Sequence, residues 1–380
     1  MAVKDKVVGW FLRNVVIPGT EVIDKPGFIV CKVTEKKQTT YLRDLLFPER
    51  IFINLELQVT KKLGTRGHQA LYSVGKKFGY VYSSLSKFPS VDGSSEKEIL
   101  DFLYYYIRYM EATYANKIDY KPDMKNKICV MVMDDYLVCR ESGIGHILSD
   151  GGSAGVWAFL LSDKTLEGVQ TKCQGRNDKK CEIVVAPPKY FLSKKIKFLK
   201  ETNLNKILYD KTYEQLNQIA PVSYAKYSLK DMIDTGFFKH SKGVLLHKNE
   251  RYFLCDANML YLLENELSKI KGANEILFDI SFKFGSELIK NEKPKNIKDF
   301  IMSYMSAFGW GDVLVTEKNS KYLIIVNCCP WTPLIDNSKF LFFRGIISGM
   351  LSESLNKKII LDKINTDTSQ GHLSVTVSQK

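Results

Sequence analysis

The feature that most limits how this chain can fold is an internal repeat. An order of local signals laid down before residue 190 returns after residue 236. Lys77-Phe78-Gly79 returns as Lys283-Phe284-Gly285, and the run Ile99 to Leu103 returns as Ile297 to Ile301 at the head of a similar helix. The hydrophobic stretch Cys129 to Met133 has its counterpart in Tyr322 to Val326. Gly155-Val156-Trp157 through Asp163 matches Gly345-Ile346-Ile347 through Glu353, and Leu373 to Val377 closes the second copy as Glu182 to Ala186 closes the first. Each copy mixes helical periodicity with β-branched runs, so the expectation is an α+β fold of two related modules, each an antiparallel sheet packed with helices. The boundaries read as 1–190 for the first module, 191–235 for a partly helical linker (Leu192–Glu201, Tyr213–Ile219) and 236–380 for the second.

Within the first copy a short helix is expected from Val7 to Val16, then a strand in GFIVCKV. Helical spacing follows over Ile53–Lys62 and Gly67–Tyr82, with Leu71, Val74, Phe78 and Val81 on one side. The loop KFPSVDGSS leads to a helix over Glu96–Asn116, opened by Ser94-Ser95 with Glu96 and Glu98 behind them. After a turn at Gly151-Gly152, a helix is expected over Ser153–Ser162. Cys173 and Cys181 then bracket CQGRNDKKC, where Gly175, Asn177 and Asp178 favour a reversal. The β-branched strand Glu182–Ala186 follows, closed by Pro187-Pro188. GVLLH and YFLCD are the corresponding short strands that open the second copy.

Composition excludes several classes. No apolar run reaches the ~18 residues of a membrane span. The N-terminus has charges within its apolar run and no small-residue cleavage site, which argues against a secretory signal. Eight cysteines without a dense framework fit a reducing cytoplasm. The net charge of +13 raises the prospect of an anionic partner. Yet the densest basic run, Lys194 to Lys200, reads most simply as a solvated amphipathic helix. Cys139 and the other single cysteines lack nucleophile–base spacing. The glycine-rich GIGH and GGSAG segments lack the Lys-Ser/Thr of a phosphate loop, and no nicotinamide or flavin motif stands in the chain. Binding is therefore favoured over catalysis.

At LELQVTKKLG, HQALYSVGKKFGYVY, HILSDGGSAG and CQGRNDKKCEIVVAP the chain resembles the 4-vinyl-reductase-like small-molecule-binding domain, found in hydrocarbon-binding proteins and in aromatic-responsive sensors. The resemblance covers about residues 27–188, with a weaker echo over 236–378. It implies a zinc site: His146 takes the first-ligand position, Cys173 and Cys181 supply the thiols, and Gln170 stands where the family has Glu. A neutral amide is a poor substitute for a carboxylate on zinc; Glu167 could serve only if the strand register shifts. Zinc, free thiols and a disulfide are all open at this point, and zinc, if held, is structural.

The resemblance also implies a pocket for a small hydrophobic molecule, in a sensory or carrier role. Its candidate lining is Phe78, Phe102, Tyr105, Tyr106, Tyr109, Trp157 and Phe159, with Phe284, Phe300, Tyr304 and Phe308 in the second copy; each is also an ordinary core aromatic. Because family members dimerise, the tandem copies are expected to form an internal pseudo-dimer, with homo-oligomerisation as the alternative. Two other functions are carried forward. One is a basic nucleic-acid-associated regulator; the other is a protein-interaction scaffold related to vesicle-tethering subunits, which predicts a filled core.

Overall fold

A run of alternating apolar and polar residues, interrupted by Pro26-Gly27, turns the start of the described chain into a meander. Its strands are β1 (Thr20–Lys25), β2 (Phe28–Glu35) and β3 (Gln38–Pro48). This computed structural model describes residues 20–35, 38–139, 145–204, 222–241, 244–318, 321–330, 338–367 and 372–379. The helices expected over Val7–Val16 and Tyr213–Ile219 lie outside them. Pro48 ends β3, and α1 (Glu49–Leu85) begins at the next residue. The two helices expected here are one, kinked at Gly64, whose φ of 53° and ψ of −137° only glycine adopts without strain. α2 (Glu96–Tyr114) opens with a full Ser95–Glu98 capping box. β4 (Lys117–Asp123), β5 (Ile128–Asp134), α3 (Ile147–Leu160), β6 (Glu167–Lys172), β7 (Cys181–Ala186) and the short α4 (Pro188–Ser193) complete the module.

The second module repeats this plan. After α5 (Leu229–Asp234) come β8 (Lys239–Ser241), β9 (Val244–His247) and β10 (Glu250–Asp256). α6 (Ala257–Leu267), α7 (Ala273–Glu292) and α8 (Ile297–Ala307) follow. β11 (Asp312–Lys318), β12 (Lys321–Asn327), α9 (Leu341–Ser354), β13 (Ile359–Asp367) and β14 (His372–Gln379) end it. The two four-stranded sheets have the same connectivity, β4-β5-β7-β6 and β11-β12-β14-β13, all antiparallel. The protein is thus an α+β fold of two sheet-plus-helix modules.

A third sheet, β1-β2-β3-β10-β9-β8, runs through both modules. Its central pair, β3 with β10, places Asp44 opposite Asp256, Leu46 opposite Leu254 and Pro48 opposite Tyr252. Pro48 and Asp256 each precede a module's first long helix, so exchanging the modules exchanges the two ends of this ladder. The Leu46–Leu254 pair therefore sits on the pseudo-twofold axis, and the modules form an internal pseudo-dimer.

Three local expectations need correction. Gly151 and Gly152 lie inside α3 rather than in a turn before it, because they let α3 cross α1 at backbone contact. A Cβ on Gly151 would lie 2.2 Å from Tyr72 O, and one on Gly75 would lie 2.1 Å from Leu148 O. In the second module a Cβ on Gly345 would meet Ser281 and the carbonyl of Phe278, and one on Gly285 would lie 2.0 Å from Ile346 O. Gly345 is thus the structural partner of Gly151, one helical turn from the match to Gly155 read in the sequence.

The third correction concerns the Lys194–Lys200 run, which is a turn at Lys194-Lys195 ending α4 and then a non-helical strap over 196–200. Ile196 and Phe198 stand two apart, the spacing of an extended chain on a flat surface, while Leu199 packs with the first module's main core cluster. Ile196 and Phe198 pack with Phe191 against the outer face of the first module's sheet, while Lys195 and Lys197 are exposed. Gln69 Nε2 donates to Lys200 O at 2.7 Å and holds its end.

The close crossing predicts that Gly151→Ala destabilises the fold by about 1–3 kcal/mol, since backbone on the partner helix must move. Urea unfolding measures this, and a change within error of zero would rule out the crossing as described.

Candidate functional site

Where α1, α2, α3 and the β4–β5 hairpin of the first module meet β10 of the second, they line an apolar cavity of ≈ 150 Å³. α2 faces it with a helical stripe, Leu103, Tyr106, Ile107 and Met110, spaced so that one side of the helix looks inward. α3 contributes Leu148, Ser149, Gly152, Ser153, Val156 and Trp157. Met131 and Met133 come from β5, and Phe253, Cys255 and Met259 come from the second module.

Of the expected lining residues, Phe78, Tyr106, Tyr109 and Trp157 border the cavity. Three others stand elsewhere. Tyr105 is off the inward stripe of α2 and exposed; Phe102 packs on Phe88 and stacks with Tyr106 behind the wall; Phe159 meets Tyr80 edge-on. A helical wheel separates Tyr105 from the inward stripe. The contribution of β10 carries no local signal, since it arises from the other copy.

The polar groups of the wall are few. Tyr136 and Ser149 are joined hydroxyl to hydroxyl. His146, just before α3, is buried, and its Nδ1 lies 2.7 Å from Glu56 Oε1. Glu56, itself fully buried on α1, also accepts from the backbone N–H of Ile147 (3.2 Å) and Leu148 (3.1 Å). It therefore caps the positive end of α3 as well as holding the ring. Burial opposes charging of His146, but Glu56 and more distant carboxylates raise its pKa on balance. Because Glu56 holds Nδ1, Nε2 is the ring nitrogen left for the cavity, an acceptor on the neutral ring and a donor on the protonated ring that Glu56 favours.

His146 does not join the thiols. The third member of that cluster is Cys139: Cys139, Cys173 and Cys181 are all buried, with sulfurs within 4.8 Å of one another. The turn between Cys173 and Cys181 is as expected, with a single 3-10 turn over Gln174–Arg176 and Asn177 left-handed at φ 69°. Asp178 accepts from the backbone N–H of Cys173 at 2.8 Å. A hydrogen bond from Cys139 pulls the Cys173 thiol down to about 6. The same donor lowers Cys181, while burial pushes Cys139 up. Gln170 lies between the cluster and His146. Its Nε2 donates to Cys139 Sγ at 2.9 Å, and its Oε1 accepts the backbone N–H of His146 at 2.8 Å. Glu167 is turned away into a buried pair with Lys76 Nζ (2.8 Å), where Tyr72 also donates to it (2.6 Å).

The second module holds none of this. At the positions of Leu148, Ser149, Gly152, Ser153 and Val156 it carries Phe342, Phe343, Ile346, Ile347 and Met350, all buried. Of the α3 positions that line the cavity, only Trp157 is replaced by a smaller residue, Leu351; elsewhere in the lining Tyr109, Met133 and Phe253 give way to Ala307, Val326 and Leu45. Phe47, where the first module has Cys255, packs edge-on against Phe342 with ring centres 5.6 Å apart and leans on Trp310. Tyr304 and Phe308 complete the filling, with ring centres 3.8 Å apart. Phe340 stands where His146 stands, before a helix that Glu264 caps by accepting from Phe342 N–H at 3.0 Å. The ladder puts Leu373 opposite Val326 and Ile364 opposite Val375, at the places of Cys181 and Gln170. Leu373 rather than His372 thus holds the second thiol's place.

No family model matches the chain, and no curated protein matches it. The 4-vinyl-reductase-like kinship therefore remains a resemblance of motifs. Among solved structures, the chain is similar to the phenol-responsive sensory domain of the transcription activator PoxR with phenol, at a TM-score of 0.31 and 15% identity, covering 49% of this chain and 92% of that one. Among the described residues no helix is long and apolar enough to cross a membrane.

Glu264 generates a pH prediction. Burial pushes its carboxyl from 4.5 up to about 7, and its Oε2 has no hydrogen-bond partner among the described residues. The folded state therefore binds more protons than the unfolded state between those values, and stability falls as pH rises through that window. Over the whole window the loss is about 3 kcal/mol. Glu264→Gln should flatten that slope in urea unfolding from pH 4.5 to 7; an unchanged slope would remove Glu264 as its source.

Proposed function

We propose that the protein binds a small, largely apolar molecule of about the size of a benzene ring in the first-module cavity, in a sensory or carrier role. The observation that carries this is selective opening. The two modules share their backbone plan, yet where the first leaves an apolar cavity the equivalent place in the second is packed with Phe47, Phe342, Phe343 and Trp310. Close packing is the default state of a protein interior, so a cavity retained in one copy against a filled twin points to an occupant. An apolar cavity of about 150 Å³ takes up benzene in a well-studied engineered case. Nε2 of His146 and the Tyr136–Ser149 hydroxyls would orient a ligand that carries one hydrogen-bonding group. The filled second module then serves as the packing partner that closes the pocket. A scaffold role predicts a filled core in both copies, and the open first module weighs against it.

Cys139, Cys173 and Cys181 would hold a structural zinc. The donor set fits: Zn–S bonds of about 2.3 Å place tetrahedral sulfurs about 3.8 Å apart, within the spread of the cluster. Cys173, lowered to about 6, supplies a thiolate near neutral pH, and Cys181 is lowered in the same direction. When bound, the ion would tie the segment before α3 to the β6–β7 turn.

Two measurements test this reading. Fluorobenzene titration followed by fluorine NMR should give saturable binding, weakened about tenfold or more by Ser153→Ile or Cys255→Phe. Both variants borrow the second copy's bulk, so they should fold. An absence of binding, or binding indifferent to both variants, would dismiss the cavity as a site. Metal analysis should give one zinc per chain, lost in Cys139→Ser and kept in His146→Phe. The reverse pattern would restore His146 as the ligand.

A further inference from the structure

We infer that the thiol cluster and the cavity are coupled through Gln170, so that a metal ion at the cluster tightens ligand binding in the cavity. The inference rests on the reading of both sites given above and adds the regulation between them. The link is continuous. The Gln170 amide donates to Cys139 Sγ at 2.9 Å on one side and accepts from the His146 backbone N–H at 2.8 Å on the other. The His146 ring lines the cavity, and its other neighbours are fixed, since Glu56 holds Nδ1 and the first amides of α3.

The backbone beside this link is shaped around it. Gly145 has a φ of +90°, and a Cβ there would lie 2.6 Å from Gln170 Oε1. A residue with a side chain would displace the amide that joins the two sites.

The second module supplies an independent observation. Three positions of the link have become apolar there: Phe340 for His146, Ile364 for Gln170 and Leu373 for Cys181. The cavity next to them has been filled as well. If the cluster served only to pin a corner, it could have persisted beside a filled core; instead the thiols, the amide, the imidazole and the open space go together.

The direction follows from the geometry. Without an ion, the Cys139 sulfur is held by hydrogen bonds alone; with one, coordination fixes it. Gln170 and the His146 backbone are then held in the position that presents Nε2 to the cavity. By linkage, the ligand must tighten metal binding by the same factor.

The test uses the full chain under reducing conditions, with fluorobenzene as the cavity probe and zinc as the ion. Fluorobenzene affinity is measured with and without zinc, and zinc affinity with and without fluorobenzene. We expect both ratios to be about fivefold or more and equal to each other. Gln170→Met keeps the bulk but neither hydrogen bond, and should bring both ratios to one while each ligand still binds. Gly145→Ala, which crowds the same amide, is the second variant should the first not fold. Equal affinities in the unaltered protein, with both ligands binding, would overturn the coupling and leave the proposed function standing. Ratios that survive both variants would overturn Gln170 as the route. Failure of either ligand to bind the unaltered protein would overturn the proposed function, and the coupling with it.

Discussion

The ladder between β3 and β10 is the contact on which the rest of the molecule depends. It does more than join two modules edge to edge. It carries Phe253, Leu254 and Cys255 into the wall of the first module's cavity and Phe47 into the core of the second. Because the pairing is symmetric about Leu46 and Leu254, each module finishes the other's interior with the equivalent strand. The cavity is thus a property of the pair. Once both copies lie in one chain, the two contributions can diverge independently, and they have: Cys255 leaves room where Phe47 fills it. A symmetric pair of identical chains could not make that choice, since any residue that opened one side would open both.

That asymmetry also divides the energetic load. Burying aromatic rings in close contact stabilises the second module, and the edge-on Phe47–Phe342 arrangement adds to area burial. The first module forgoes part of this packing, with Ser149, Gly152 and Ser153 where its twin has Phe343, Ile346 and Ile347. An open apolar space costs its lining the dispersion contacts that a filled core would have. The filled twin, continuous with it through one sheet, offsets that cost.

What was legible in the sequence followed from local rules. The capping box before α2, the β-branched strand after the thiol turn and the left-handed Asn177 all depend on residues within a few positions of one another. The repeat gave the module plan for the same reason, since each copy carries its own periodicity. What was not legible depended on distant partners. Gly151-Gly152 reads as a helix breaker until Gly75 is seen opposite, when it becomes a helix crossing. Cys139 has no motif with Cys173 and Cys181, because a segment and a helix separate them; His146, nearer the glycines, took its place in the expected ligand set. The available signal was that Cys139 also precedes the glycine-rich helix. On α2, strict helical spacing would have set Tyr105 outside the pocket and brought in Leu103, Ile107 and Met110.

The neutral amide at Gln170 takes on meaning once the buried carboxylates around it are accounted for. Glu56 is committed to the end of α3 and to His146, and Glu167 to Lys76 and Tyr72, where its other oxygen also accepts the backbone N–H of Glu201 at 3.2 Å. Neither is placed to serve the thiols. A divalent ion with three thiolates carries a single net negative charge; a carboxylate in place of Gln170 would make it two. The cost of burying an ion rises with the square of its charge and is severe in a poorly polarisable interior. An amide therefore lightens the cluster electrostatically and leaves the side chain free to hydrogen-bond in both directions. A carboxylate bound to the ion would have spent one oxygen on it and offered Cys139 no donor. An amide is the weaker metal ligand, yet it is the side chain that can bond Cys139 Sγ and the His146 backbone at once.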